Sequence, residues 1–257
     1  MRFKAPLLLA LVLSVIPAIG QQNADSTPTG MESRADALRS QKDYVAAANL
    51  YKDALHKAPK NAVLWNKLGM TELVIGSGAQ GFERSSRFNS ARMDFERATK
   101  LRKDYADAFN NLGVVYYILG DYRKAISRYK EALALRDSAS FHSNLGSVYF
   151  AQKKVALAMN EYLLALQLDP GVFERSSTTG LIGRVSRPEE RAKYAFMLAR
   201  LYAKVGDVDH AITQIRTALE NGYSELDPLY KDQVFAAVRN DPRFLQLMEN
   251  KPPAIPN

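Results

Sequence analysis

A chain of 257 residues with 47% hydrophobic and 24% charged side chains is long enough to bury a sizeable core and too apolar for an unstructured polymer. It has no cysteine, which excludes disulfides, thiolate metal sites and thiol nucleophiles together. Its formal net charge of +8 is compatible with anionic partners but is not by itself a nucleic-acid signature, and His56, His142 and His210 lie too far apart for short-range ligand spacing.

The first twenty residues read as a secretory signal peptide. Arg2 and Lys4 open it, Ala5 to Gly20 is apolar and uncharged, and Ala18 and Gly20 place small residues where a signal peptidase cuts. The run falls short of the roughly 20 residues that span a bilayer and holds Pro6 and Pro17, which argues against a retained anchor. Cleavage after Gly20 removes Arg2 and Lys4 and lowers the positive charge accordingly. The protein is therefore expected to be exported, periplasmic or secreted, with no transmembrane span in the mature chain. That compartment makes nucleic acid an unexpected partner. Residues 21–30 are polar and small and read as a flexible lead-in.

From there the chain repeats itself. Phe109-x-x-Leu112-Gly113-x-x-Tyr116 and His142-x-x-Leu145-Gly146-x-x-Tyr149 share one frame, and Trp65-x-x-Leu68-Gly69 fits it with Glu72 in place of the aromatic. A second signature follows each: Ala91-x-x-x-Phe95-x-x-Ala98, Ala125-x-x-x-Tyr129-x-x-Ala132 and Ala158-x-x-x-Tyr162-x-x-Ala165. Upstream stands Ala47-x-x-x-Tyr51-x-x-Ala54. Downstream stand Leu198-Ala199-x-x-Tyr202 and Ala211-x-x-x-Ile215-x-x-Ala218. Leu and an aromatic four residues later share one helix face, and Ala or Gly at the crossing points lets a second helix approach closely. Gly120-Asp121 and Gly206-Asp207 end first helices, and Pro59 and Pro170 stop second ones. With a period of about 34 residues the pattern resembles the tetratricopeptide repeat.

The resemblance implies an all-α chain, an α-solenoid of about five helix-turn-helix hairpins near 28–61, 62–105, 106–138, 139–172 and 192–225. In the first, Arg34, Ala35 and Leu38 replace Leu, Gly and Tyr, as suits an atypical terminal repeat. Residues 229–239 and 242–250 read as a capping helix pair, with Asp241 as N-cap, Pro242 at the first helical position, and Phe235, Val238, Phe244 and Leu247 covering the last hairpin. The helical domain thus spans 31–250, and 251–257 reads as a disordered tail. Inserts fall near 76–89 and 171–190. Both contain one word, Phe82-Glu83-Arg84-Ser85-Ser86 and Phe173-Glu174-Arg175-Ser176-Ser177. Either the two are matched surface loops that touch a shared partner or, as the simpler expectation, each Phe pins its loop to the neighbouring hairpin while Glu, Arg and Ser cap helix ends. Ser186-x-x-Glu189 reads as a capping box.

Little in the sequence points to chemistry. Gly76-x-Gly78-x-x-Gly81 matches a dinucleotide fingerprint in letters but lacks the strand–loop–helix setting that aims backbone N–H groups at a pyrophosphate. It reads as an inter-helix loop, and no cofactor is expected. No hydrolase or metalloprotease motif occurs, so no catalytic residue is assigned and the protein is read as a non-enzyme. The basic stretch from Arg84 to Lys103 is interrupted by Glu83, Asp94, Glu96 and Asp104 and reads as a salt-bridged helix face.

What the resemblance implies is a scaffold or adaptor that takes a protein or peptide partner in the groove lined by the first helix of each hairpin. A clamp for a C-terminal carboxylate is disfavoured, since Glu32 and Asn66 stand where its first Lys would be. Residues spaced i, i+4 and i+7 along each first helix share a face. They are Asn66, Met70 and Leu73, then Asn110, Val114 and Tyr117, then Ser143, Ser147 and Phe150, with Asn111 and Asn144 beside them. Their apolar groups and amides suit a peptide, although the Asn side chains can equally bond between neighbouring helices. The competing reading is an accessory subunit that binds an anionic envelope polymer through a basic surface.

Overall fold

The computed structural model describes residues 26–176 and 187–253, and all their regular structure is helical. The residues read as a signal peptide, the start of the stretch read as lead-in, most of the second insert and the end of the tail lie outside the described residues. The helices are α1 (Pro28–Ser40), α2 (Tyr44–Lys57), α3 (Ala62–Gly78), α4 (Gly81–Leu101), α5 (Ala106–Ile118), α6 (Tyr122–Leu135), α7 (Ala139–Ala151), α8 (Val155–Leu168), α9 (Val172–Ser176), α10 (Pro188–Lys204), α11 (Val208–Glu220), α12 (Asp227–Lys231), α13 (Ala236–Arg239) and α14 (Pro242–Glu249). A 3₁₀ turn at Gln233–Phe235 separates α12 from α13. None of the described helices is long and apolar enough to cross a membrane.

The chain divides between Leu119 and Gly120 into two compact units. In the first, α1 to α5 each pack on the next, and α3 also touches α5. In the second, α6 packs on α7, α7 on α8 and α10 on α11, with α9 against α7.

The repeated letters explain these hairpins. The second-helix triads Ala47/Tyr51/Ala54, Ala91/Phe95/Ala98, Ala125/Tyr129/Ala132, Ala158/Tyr162/Ala165 and Ala211/Ile215/Ala218 are all at most 1% exposed. The glycine of the first helix is the notch for the aromatic of the second. A Cβ added at Gly69 would lie 2.8 Å from the Phe95 ring, and one at Gly146 2.7 Å from the Tyr162 ring. Four first helices end on a left-handed residue, Lys42 (φ 66°), Gly120 (φ 81°), Lys153 (φ 60°) and Gly206 (φ 83°), and α3 is the exception. Three second helices then start on an aspartate cap. Asp43 accepts from the Ala46 N–H at 3.1 Å, Asp121 from Lys124 at 3.2 Å and Asp207 from His210 at 3.1 Å.

Three expectations change. The first insert is not a loop: α3 continues to Gly78 and α4 starts at Gly81, leaving Ala79 and Gln80 as the link. The added turns zip together because Gly76 has no side chain to keep the Phe88 ring away and Arg87 reaches Glu72 at 2.9 Å. Helix begins at Pro28, capped by Thr27, which agrees with the first hairpin's expected start at 28 and shortens the lead-in, expected to run to 30. The single helix expected over 229–239 is broken. Asp232 caps the Val234 N–H, and Arg239 donates to the carbonyls of Leu229 (3.1 Å) and Asp232 (2.7 Å). The cap residues Phe235, Val238, Phe244 and Leu247 are buried, and Asp241 caps α14. For the expected capping box, Ser186 is outside the described residues, and α10 starts on Pro188 with no side-chain cap bond.

Candidate partner-binding site

In the first unit three first helices, α1, α3 and α5, stand side by side, and polar ties hold them in register. Lys67 of α3 reaches back to α1, meeting Glu32 and Asp36 at 2.6 Å each. Asp36 also accepts from the Tyr51 hydroxyl. Burial pushes the Asp36 carboxyl up, but the bonds from Lys67 and Tyr51 outweigh it and hold the group below the ordinary value. On the other side of α3, Asn66 donates to the Tyr105 hydroxyl at 3.2 Å and accepts from the Asn111 amide at 3.0 Å. Asn110 donates to Asn111 at 3.4 Å.

Over these ties runs a strip of half-buried side chains: Arg39 from α1, Met70 and Leu73 from α3, Val114 and Tyr117 from α5. The Arg39 guanidinium lies 4.0 Å from the Met70 sulfur, which makes α1 and α3 continuous along the strip. Asn66, expected to offer its amide, is 4% exposed, and both ends of that amide are engaged between helices.

The second unit treats the matching positions differently. Ser143 and Ser147 are 4% and 8% exposed, and Ser147 donates to the Ser143 carbonyl while accepting from the Tyr162 hydroxyl at 3.0 Å. They are core groups, not surface ones. Phe150 is half-buried and packs edge-on to Tyr194, centroids 5.2 Å apart. Asn144 is half-buried and engaged.

Sequence reasoning names Glu32 only as a departure from a carboxylate clamp and does not reach Asp36, Arg39, Lys67 or Tyr105. The signal is nevertheless present: aligning Arg34, Ala35 and Leu38 on the repeat puts Glu32, Asp36 and Arg39 on the strip's own register. The twin words also part company. Phe173 is 6% exposed, edge-on to Tyr162 and Tyr202, whereas Phe82 is 89% exposed at the start of α4. Pinning therefore holds for the second word only. The Gly76–Gly81 letters lie on two helix ends. The basic stretch is salt-bridged in part: Arg87 meets Glu72 and Glu83, Arg92 meets Glu96 at 2.8 Å, and Arg102 stacks on Tyr105.

Family models for the tetratricopeptide repeat match residues 78–126, 139–171 and 192–221, and a further one, described as a TPR repeat, matches 115–153. Residues 78–171 and 192–221 are thus similar to tetratricopeptide repeats. The chain is 26% identical over 103 residues to the heat-shock cognate co-chaperone sgt12 of Aspergillus fumigatus, covering 40% of this chain and 27% of that protein. It is 28% identical over 107 residues to the Hsp70-Hsp90 organizing protein of Triticum aestivum, covering 42% and 17%. It thus spans about a quarter or less of the curated relatives it matches. Among solved structures, a thermophilic TPR protein of Thermus thermophilus superposes with a TM-score of 0.55 at 21% identity, covering 64% of this chain and 86% of that one. That likeness supports the fold. Tetratricopeptide proteins as a class are interaction scaffolds.

Proposed function

We propose that this protein is an exported, non-enzymatic scaffold that binds an extended peptide or protein segment along the first-helix strip. One observation carries the reading. Three first helices are fixed in register by buried and half-buried polar bonds, while Met70, Leu73, Val114 and Tyr117 above them stay partly open to solvent. A pre-ordered surface loses little entropy on binding, and half-open apolar and aromatic groups supply the contact area that anchors a partner. The co-chaperone relatives support a peptide-binding scaffold in general. They do not carry their own ligands over, because Glu32 and Asp36 with Lys67 occupy one end of this strip.

A pull-down with the mature chain, followed by titration of the captured partner, tests the site. Tyr117→Ala and Met70→Ala should each weaken binding by about 1–3 kcal/mol with folding intact. Normal binding by both variants, together with loss on charge reversal at Arg84 and Arg97, would move the site to the exposed arginines of α4 and favour a polyanionic ligand. Export is tested separately by N-terminal sequencing of the protein from its native compartment. A chain beginning at Gln21 supports it, and one beginning at Met1 overturns it.

A further inference from the structure

The second hairpin holds two carboxyl groups in its interior and gives both neighbouring cations to one of them. Glu72 of α3 is 1% exposed; it meets Lys52 of α2 and Arg87 of α4 at 2.9 Å each. Asp94 of α4 is 8% exposed, and no hydrogen bond or ion pair reaches its carboxyl among the described residues. A sheltered carboxylate without a donor is costly, and the neutral acid is the favoured form. The pair is peculiar to this hairpin: other first helices carry Tyr116, Tyr149 and Tyr202 where α3 carries Glu72.

We propose that Asp94 is a proton-operated switch that sets how α2 is tied to the second hairpin. With Asp94 neutral, Lys52 stays on Glu72. With Asp94 ionised, its proton released to water, two neighbouring carboxylates compete for Lys52. The Lys52 side chain is 47% exposed and free to swing, whereas Arg87 is also held by Glu83 at 3.6 Å and remains with Glu72. The charged groups facing Asp94 are Glu72 from α3 and Lys52 from α2. The other helix packed on α4 is α5, and its Tyr116 donates to Glu96 instead. Burial, reinforced by the Glu72 charge and opposed by Lys52, pushes the Asp94 carboxyl up to about 7. The exchange therefore falls near neutrality. It acts on α3, the helix that carries Met70 and Leu73. Only an effect on partner affinity rests on the binding reading; the switch itself does not.

Carbon-13 NMR of the carboxyl groups, run on the mature chain between about pH 5 and pH 9, reads the Asp94 midpoint directly. The expected midpoint is near 7, with the Lys52 side-chain signals shifting at the same midpoint. Asp94→Asn mimics the neutral form, should fold, and should abolish that Lys52 shift. Lys52→Met should move the Asp94 midpoint higher. An Asp94 midpoint below about 5, or a Lys52 shift that persists in Asp94→Asn, overturns the proposal. So does a Lys52 signal that stays flat across the range.

Discussion

Replacing Gly146 by alanine puts a number on the notch that joins the two helices of the fourth hairpin. The added Cβ would lie 2.7 Å from two carbons of the Tyr162 ring and 3.1 Å from a third. Carbon atoms sit comfortably at about 3.5–4.0 Å, so the ring must move by roughly 1 Å. It has nowhere to go: Tyr162 is 0% exposed, donates to Ser147 at 3.0 Å, and is flanked by the rings of Phe173 and Tyr194. Overpacking costs about 1–3 kcal/mol and the strained hydroxyl bond about 1 kcal/mol. The better helix propensity of alanine returns about 1 kcal/mol, leaving a net loss of roughly 1–3 kcal/mol. Urea unfolding followed by circular dichroism measures this. Gly78, where a Cβ meets nothing within 4 Å, is the control and should tolerate alanine. Tyr162→Leu should relieve the clash, so the alanine penalty should vanish in that background. A Gly146→Ala variant as stable as the parent, or more so, would refute the reasoning.

Three further outcomes follow from the geometry. Lys153 holds φ 60° at the end of α7, where Gly206 holds φ 83° at the end of α10; Lys153→Gly should raise the unfolding free energy by up to about 1 kcal/mol in the same assay, because glycine adopts that conformation without strain. Asn66→Leu should destabilise by about 1–3 kcal/mol, since it strands the Asn111 amide and the Tyr105 hydroxyl. His210 meets Asp207 and Glu174 at 2.7 Å each; burial opposes the charged ring, but its Asp207 bond and both carboxylates outweigh that and raise its pKa above the ordinary 6.5. Its stabilisation is complete below 6.5 and fades as pH rises through the higher folded value. The stability gap between the parent and His210→Ala, read by urea melts, should therefore shrink from about pH 6 to pH 9.

The hairpins are legible in the sequence because small residues and aromatics at fixed spacing state which faces touch. The boundaries follow from Pro59, Gly120, Pro170 and Gly206, which act within one turn of themselves. The first insert is illegible for the opposite reason. Its fold depends on Gly76 meeting Phe88 and Glu72 meeting Arg87, pairs that fall outside the repeated spacing and so are announced by no recurring pattern. The strip is legible in register and not in exposure. Val114 and Ser147 occupy the same repeat position, yet Ser147 is taken into the core by a hydroxyl from the facing helix. Phe82 and Phe173 share five letters and differ in fate because only Phe173 has Tyr162 and Tyr202 beside it.

The ring-in-notch contacts at Gly69–Phe95 and Gly146–Tyr162 act as mechanical detents. Sliding one helix along its mate by a turn would drive the ring out of the gap and against a bulkier residue, Leu73 or Trp65 on α3 and Phe150 or His142 on α7. Each of these two hairpins is thus locked against shear between its own two helices. A substitution that fills either notch should therefore loosen its hairpin along the helix axes before it costs any helix.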